Sequence, residues 1–333
     1  MKCDRRRFLQ LLSASTGFVL TTACNPQSAN GLPTLGISGS PILMSIPLAY
    51  LMEKSRLSQV VADLEFIPIR NHEQIKALLT SEQAKISPNP TLLSAGLYQQ
   101  DIPIKLLNVM IWGNIYLMSP DSSLMNWEDL AGKSILIPFK GSMPEMLFRY
   151  LITQSGLNPD QDLTLQSTQD FQSTAQLLLS GQGDAGVFAE PQASSVRAKG
   201  QQQDIELFYN LDFKTQWAAV TGQPPRYPQA GISIVSSFLE RYPDVVEVIE
   251  SELENSLSWI SENPSEAAQL GSKYMDIPPQ VIEQSLQNNL FEYVPAREAK
   301  GELEVFFKSL MQVNPKLLKG ELPKEQFYKQ PAS

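Results

Sequence analysis

From residue 34 to about residue 235, short apolar runs alternate with stretches of 3.6-residue apolar periodicity. The runs Thr34–Ile37, Leu64–Ile69, Lys105–Ile111, Ile115–Met118, Ser134–Pro138, Leu163–Gln166, Ala185–Ala189 and Gly231–Val235 read as strands. Between them, apolar positions recur three and four residues apart over 43–54, 71–81, 90–99, 143–155, 171–181 and 190–199, which predicts helices with one buried face. This alternation implies an α/β layered fold with largely parallel strands, because parallel neighbours need a crossover connection and a helix usually supplies it. Beyond Val235 the pattern becomes nearly continuous helix, over Asp244–Ser261, Pro264–Tyr274, Pro279–Asn289 and Ala296–Gln312. Pro243 and Pro264 fall where a first helical turn has no use for the missing N–H.

An internal repeat organises the α/β part. Tyr50-Leu51-Met52-Glu53-Lys54-Ser55-Arg56-Leu57 corresponds to Tyr150-Leu151-Ile152-Thr153-Gln154-Ser155-Gly156-Leu157 at an offset of 100 residues, and Leu78-Leu79 corresponds to Leu178-Leu179. Gly39-Ser40-Pro41 and Gly141-Ser142-Met143-Pro144 each precede a first helix, and Ser87-Pro88-Asn89-Pro90 parallels Phe188-Ala189-Glu190-Pro191. Two similar α/β lobes in succession predict a cleft between them. A helical tail packed back on the first lobe makes that lobe discontinuous. The expected division is 33–113 plus 232–333 against 114–231, with chain crossings near Gly113–Tyr116 and Pro228–Ile232. About 310 residues also exceed what one core usually holds.

The first residues are a separate matter. A basic head is followed by an uncharged run from Phe8 to Ala23, 16 residues long and broken by Gln10, Ser13, Ser15 and Thr16. A membrane span needs about 20 predominantly apolar residues, so residues 1–23 read as an export signal. Arg5-Arg6-Arg7-Phe8-Leu9-Gln10 resembles a twin-arginine signal; an ordinary secretory signal is the alternative. Leu20-Thr21-Thr22-Ala23-Cys24 resembles a bacterial lipobox, with Leu one position further from the Cys than usual. Cleavage there leaves Cys24 as the one remaining cysteine, which excludes an intramolecular disulfide and favours lipidation of Cys24, with 24–32 as a flexible tether.

Removing 1–23 takes out Lys2, Arg5, Arg6, Arg7 and Asp4, so 26 basic and 35 acidic residues become 22 and 34, a net charge of −12. No Lys/Arg cluster remains, which argues against nucleic acid as a partner. The single histidine, His72, lies in a helical pattern and reads as a solvated surface residue. With one histidine and no second cysteine, histidine-based metal sites, Ser-His-Asp triads and Cys-His nucleophiles are excluded; no cofactor or metal is expected.

Four segments, in order, are similar to one family. Trp127-Glu128-Asp129-Leu130-Ala131-Gly132-Lys133 running into Ser134–Pro138 resembles the start of the second lobe of type II periplasmic binding proteins. Gly141-Ser142-Met143-Pro144 with Leu157-Asn158-Pro159-Asp160 resembles the next helix and its exit. Gly181-Gln182-Gly183-Asp184-Ala185 followed by Glu190-Pro191, and Trp259 through Asn263-Pro264-Ser265-Glu266-Ala267-Ala268, resemble the two later segments. The similarity is to the group that binds nitrate, sulfonate, taurine, bicarbonate and thiamine precursors. It departs at Ala84-Lys85-Ile86-Ser87, where the second repeat keeps Gly183-Asp184-Ala185.

The resemblance implies a monomeric, non-enzymatic solute-binding protein, held outside the cytoplasmic membrane by a lipid anchor, that delivers a small solute to the permease of an ABC importer. An enzyme on the same fold, or a sensory or scaffolding lipoprotein, is the alternative, since fold alone does not settle function. In such bilobal proteins the ligand sits where strand ends meet helix N-termini, whose free N–H groups and dipole suit an anion or a carbonyl. The implied ligand set is Ser38, Ser40, Asn89, Trp112, Gly141, Ser142 and Glu190, with Phe139 a lesser stacking candidate. Helix capping is the competing role for Ser40, Ser142 and Glu190, and a core role for Trp112. A carboxylate at Glu190 would disfavour sulfonate or nitrate and turn the expectation toward a small nitrogen-containing or heterocyclic organic solute.

Overall fold

The computed structural model describes residues 34–69, 72–288 and 291–329; the leader 1–23, Cys24 and the tether 24–32 lie outside the described residues. The chain first forms β1 (Thr34–Gly39), α1 (Ser45–Glu53), β2 (Asp63–Pro68), α2 (His72–Thr80), β3 (Ile86–Pro90), α3 (Thr91–Gln99), β4 (Ile104–Leu106) and β5 (Asn108–Ile111). It then crosses to β6 (Ile115–Ser119), β7 (Ser134–Pro138), α4 (Met143–Gln154), β8 (Thr164–Thr168), α5 (Phe171–Leu179), β9 (Ala185–Ala189), α6 (Gln192–Gln201), β10 (Phe208–Asp212) and α7 (Phe213–Thr221). It returns through β11 (Ala230–Val235), α8 (Ser236–Arg241), α9 (Pro243–Glu262), α10 (Pro264–Met275), α11 (Pro279–Gln287), β12 (Phe291–Pro295) and α12 (Ala296–Val313).

The two sheets repeat one topology. The first runs β12-β5-β11-β3-β1-β2, with β4 also on β11, and the second runs β10-β6-β9-β7-β8. In each, a central strand lies between two parallel partners: β1 between β2 and β3, and β7 between β8 and β9. Thr34 pairs with Asp63 and Ser134 with Thr164, so the repeat carries through to strand pairing with the second partner shifted by one residue from the offset of 100. Next to β3 and to β9 each sheet takes an antiparallel strand beside a crossing, β11 in the first and β6 in the second. These are two similar α/β lobes joined by two crossings.

Burial explains which strands the sequence announces. β9 and β11 are buried along their whole length, and a strand covered on both faces reads as an unbroken apolar run. The edge strands β10 and β12 are half-exposed and carry Asn210, Asp212 and Pro295, so no such run marks them. β12 corrects the expectation of a wholly helical tail, because it pairs antiparallel with β5 through Phe291 with Ile111 and Pro295 with Asn108. The run Lys105–Ile111 divides into β4 and β5. Gly231 allows β5 to press onto β11: a Cβ there would lie 1.9 Å from the Asn108 carbonyl oxygen.

The tail holds both lobes. α9 and α10 pack on α1 of the first lobe, whereas α12 packs against both β5 and α4 of the second lobe. Leu303, Phe306 and Phe307 of α12 share one buried cluster with Trp112 and with Trp127, Phe148 and Trp217 of the second lobe. Each such side chain contributes about 1.5–3 kcal/mol when fully buried. At the crossings, Gln229 Oε1 accepts the Asn114 N–H at 2.8 Å while Gln229 Nε2 donates to Asn114 Oδ1. Both side chains are buried, so the two crossing segments are tied by a reciprocal amide pair. Among the described residues no helix is long and apolar enough to cross a membrane.

Candidate functional site

The strand ends of the two sheets meet at the corner after β9. Gln192, the first residue of α6, donates through Nε2 to the carbonyl of Pro41, two residues past β1, at 2.8 Å. Nearby, Glu190 is 2% exposed, and its carboxylate accepts from the Ser194 N–H and hydroxyl, both at 3.1 Å, from Tyr209 Oη at 3.0 Å and from Asn288 Nδ2 at 3.1 Å. Burial pushes the Glu190 carboxyl above the usual range, and the hydrogen bonds from Asn288, Ser194 and Tyr209 pull against that rise. Tyr116, edge-on to Tyr209 at 4.9 Å, donates its hydroxyl to the Asn288 carbonyl at 3.0 Å. Burial likewise raises both tyrosines, which stay neutral donors. The corner is therefore a buried carboxylate inside a ring of neutral donors.

Helix N-termini around this corner are of two kinds. In the second lobe, Asp170 caps α5 by accepting the Ser173 N–H at 2.7 Å, Asp212 caps α7 through the Lys214 N–H at 2.9 Å, and Glu190 takes the Ser194 N–H of α6. No side chain caps α1, α3 or α4. At α1 a preceding turn intervenes, with Ser45 and Ile46 N–H groups bonded to the Ile42 and Leu43 carbonyls. At α3 the Thr91 N–H goes to the Gln229 carbonyl at 2.9 Å. At α4, Ser142 is the N-cap by its extended backbone (φ −84°, ψ 173°), yet its hydroxyl turns back to the Pro138 carbonyl at 3.4 Å. Gly141 stands at φ +76°, which suits a residue without Cβ, and its N–H is held by Glu145 Oε2 at 2.6 Å. The α4 N-terminus is thus presented by a tight turn, with no cap from the Ser142 side chain and with Glu145 of the first turn bonded back to Gly141.

The anticipated ligand residues separate on this geometry. Gly141, Ser142 and Glu190 lie at helix starts following β7 and β9. Ser40 follows β1 directly, but the helix begins only at Ser45, whose hydroxyl bonds the Ser40 carbonyl; Ser40 does not open α1. Ser38 is buried within β1 and donates to the Ile86 carbonyl at 3.4 Å, bridging β1 to β3. Asn89 is buried within β3, accepting from Ser87 Oγ at 3.2 Å while its Nδ2 has no partner among the described residues. Trp112 is fully buried; its Nε1 donates to the Glu292 carbonyl at 3.0 Å and the Arg226 guanidinium lies 4.4 Å from the ring centre. In this conformation the ring has no face open for stacking, and its role is in the core. Phe139 stands at φ +57° and packs edge-on to Phe171 at 5.4 Å.

Sequence reasoning did not single out Tyr116, Tyr209, Ser194 or Asn288 as members of this corner. Asn288 lies 98 positions from Glu190, and a polar residue at a helix end carries no local signal of so distant a partner. The predicted internal repeat does mark the strand end before Glu190, and the predicted crossing Gly113–Tyr116 reaches Tyr116. Two surface hollows of about 430 and 550 Å³ lie elsewhere, the first beside Leu257 and Tyr293 and the second between α4 and α12. Among the described residues no group of three or more His, Cys, Asp or Glu side chains converges as a metal site.

Comparison with known proteins gives this geometry a context. Residues 61–230, just over half of the chain, match the family model described as "ABC transporter, phosphonate, periplasmic substrate-binding protein". A Bacillus subtilis (strain 168) protein, YtlA, named as a binding protein, is 24% identical over 177 residues, which are 53% of this chain and 49% of that one. The chain therefore spans about half the length of that curated relative. Among solved structures, an ABC transporter protein from Parabacteroides distasonis superposes with a TM-score of 0.72 at 20% identity, covering 91% of this chain and 100% of that one. The periplasmic aliphatic sulphonate binding protein SsuA from Escherichia coli gives 0.69 at 14% identity, over 89% and 96% of the two chains. At these identities the two structures establish the shared fold.

Proposed function

The chain belongs to the phosphonate-type family of periplasmic substrate-binding components of ABC transporters, and on that premise we propose that it captures a small nitrogen-containing organic solute between its lobes. The lobes are 33–113 plus 232–333 and 114–231, and the permease of an importer receives the solute. The solute's anionic or carbonyl end would meet the α4 N-terminus beside Gly141 and Ser142, where the helix dipole favours it and no side chain caps the first turn. Four donors on the Glu190 carboxyl favour its charged form, and a carboxylate there would disfavour a fully anionic solute but not one that also carries a nitrogen donor. Export by the leader 1–23 and lipidation at Cys24 would hold the protein at the outer face of the cytoplasmic membrane. The observation that carries the reading is an uncapped helix start and a buried carboxylate on neighbouring strands of one lobe, facing the strand ends of the other.

The experiment is a thermal-shift screen of the processed chain, with Cys24→Ser to keep it soluble, against amino acids, thiamine precursors, purines, phosphonates, sulfonates, nitrate and bicarbonate. A bound solute at 100 times its dissociation constant stabilises the fold by about 2.7 kcal/mol. A saturable shift with one nitrogen-containing class, weakened by Gly141→Ala, supports the proposal. A shift with nitrate or sulfonate alone removes the nitrogen-containing solute. No shift with any class, after co-purified solute has been stripped, removes the capture reading.

A further inference from the structure

The closest ties between the lobes at the Glu190 corner are made by the protein itself. α11 is anchored in the first lobe, since it packs on α10, which packs on α1, and its Ile282 and Leu286 join the first lobe's apolar cluster, while its other side meets α6 of the second lobe. Asn288, the residue after α11, nevertheless bonds second-lobe groups with both halves of its structure. Its Nδ2 donates to Glu190 Oε1 at 3.1 Å, and its carbonyl accepts from the Tyr116 hydroxyl at 3.0 Å. A second bridge lies two residues on from Glu190, where Gln192 Nε2 donates to the Pro41 carbonyl at 2.8 Å. Both bridges spring from the start of α6, and both reach segments of the first lobe far apart in sequence.

We propose that Asn288 and Gln192 form a built-in latch, a pair of interlobe hydrogen bonds anchored on Glu190 and on the Pro41 carbonyl that holds the closed arrangement of the lobes with the chain's own donors. The chemistry of the anchor makes it selective for a neutral donor. Glu190 already takes three bonds from its own lobe, two from Ser194 and one from Tyr209, and the fourth comes from Asn288. Opening the lobes removes that fourth donor from a carboxylate that is 2% exposed when closed. Tyr116 loses its acceptor in the same movement. A latch of this kind sets how much of the protein is closed before solute arrives, and apparent affinity scales with that fraction. Asn288 is then an affinity-setting residue that touches no solute.

The test reads the lobes directly and does not depend on which solute is bound. Spin labels are placed on Glu65→Cys of β2 and Gln166→Cys of β8, exposed positions on the strands farthest from the crossings in each sheet order. The background is the processed chain with Cys24→Ser, unfolded and refolded to strip any solute. With the latch intact the distance distribution is expected to be narrow and short. Asn288→Ala shifts it to longer, broader distances, and Asn288→Asp, which sets a carboxylate against Glu190, shifts it further. Gln192→Ala adds to the opening of Asn288→Ala. Unchanged distances in both Asn288 variants, with melting temperatures showing that they fold, would overturn the latch. The same holds if the unsubstituted protein is already as open as Asn288→Asp. A failed solute screen would leave this result standing, so the two readings can fail separately.

Discussion

The two lobes share a strand topology but treat their helix starts differently. The second lobe covers α5, α6 and α7 with Asp170, Glu190 and Asp212, while α4 has no side-chain cap and neither have α1 and α3 of the first lobe. A capped helix start has its donors and its dipole already satisfied, which stabilises the fold and removes the start as a binding place. An uncapped start after a central strand gives up that stability and leaves to an outside acceptor whatever first-turn N–H groups the backbone has not used. Equivalent positions of a repeat can thus be assigned to folding or to binding by asking whether a side-chain oxygen sits on the helix.

The hardest blow to this arrangement falls on what joins the lobes. Phe306 is fully buried, stacked on Tyr227 at 5.6 Å and edge-on to Trp217 at 5.6 Å, so Phe306→Ala is expected to cost about 3–5 kcal/mol, read as a lower urea midpoint. Next comes the Glu190 corner. Glu190→Ala leaves donors on buried Ser194 and on partly buried Tyr209 and Asn288 without their acceptor and should cost about 2–3 kcal/mol by the same measurement. Its pH dependence follows from burial. A carboxyl raised in the folded state binds more protons there than in the unfolded state, so stability falls as pH rises from the ordinary carboxylate value through the raised one. Glu190→Gln should flatten that fall in melts recorded across this range; an unaltered slope would assign the dependence to other groups.

The comparison of helix starts is sharpened by smaller effects. Asp170→Ala should lower stability by about 1 kcal/mol, the usual loss for an N-cap. Ser142→Ala should change it by less than about 0.5 kcal/mol, because the Ser142 hydroxyl caps nothing. Equal losses in the two variants, measured by chemical denaturation, would mean that Ser142 caps α4 in solution after all.

Much of the fold was legible because central strands such as Ser134–Pro138 and Ala185–Ala189 are covered on both faces and so appear as plain apolar runs. The edge strands β10 and β12 were not, since most of their positions are only partly buried and turn residues are tolerated there. For the site, the repeat located Gly141, Ser142 and Glu190 at strand ends, but it could not tell Ser40 from a true helix start or reveal the burial of Ser38 and Trp112. Those outcomes depend on a helix that begins at Ser45 and not directly after Ser40, and on Arg226 and Glu292 arriving from distant segments. Asn288 was beyond reach for the same reason.

The place of β11 between β3 and β5 bears on how the protein is made. As the chain leaves the ribosome, residues 34–111 emerge first, yet their sheet lacks the strand that fills its middle until residue 235 has followed. The second sheet has all its strands by residue 212, so the later lobe can assemble before the earlier one. Non-local pairing of this kind is slow. During that delay the edges of β3 and β5 stay unpaired, which makes the growing first lobe the part of the molecule most exposed to chaperones and most prone to aggregate when synthesis is interrupted.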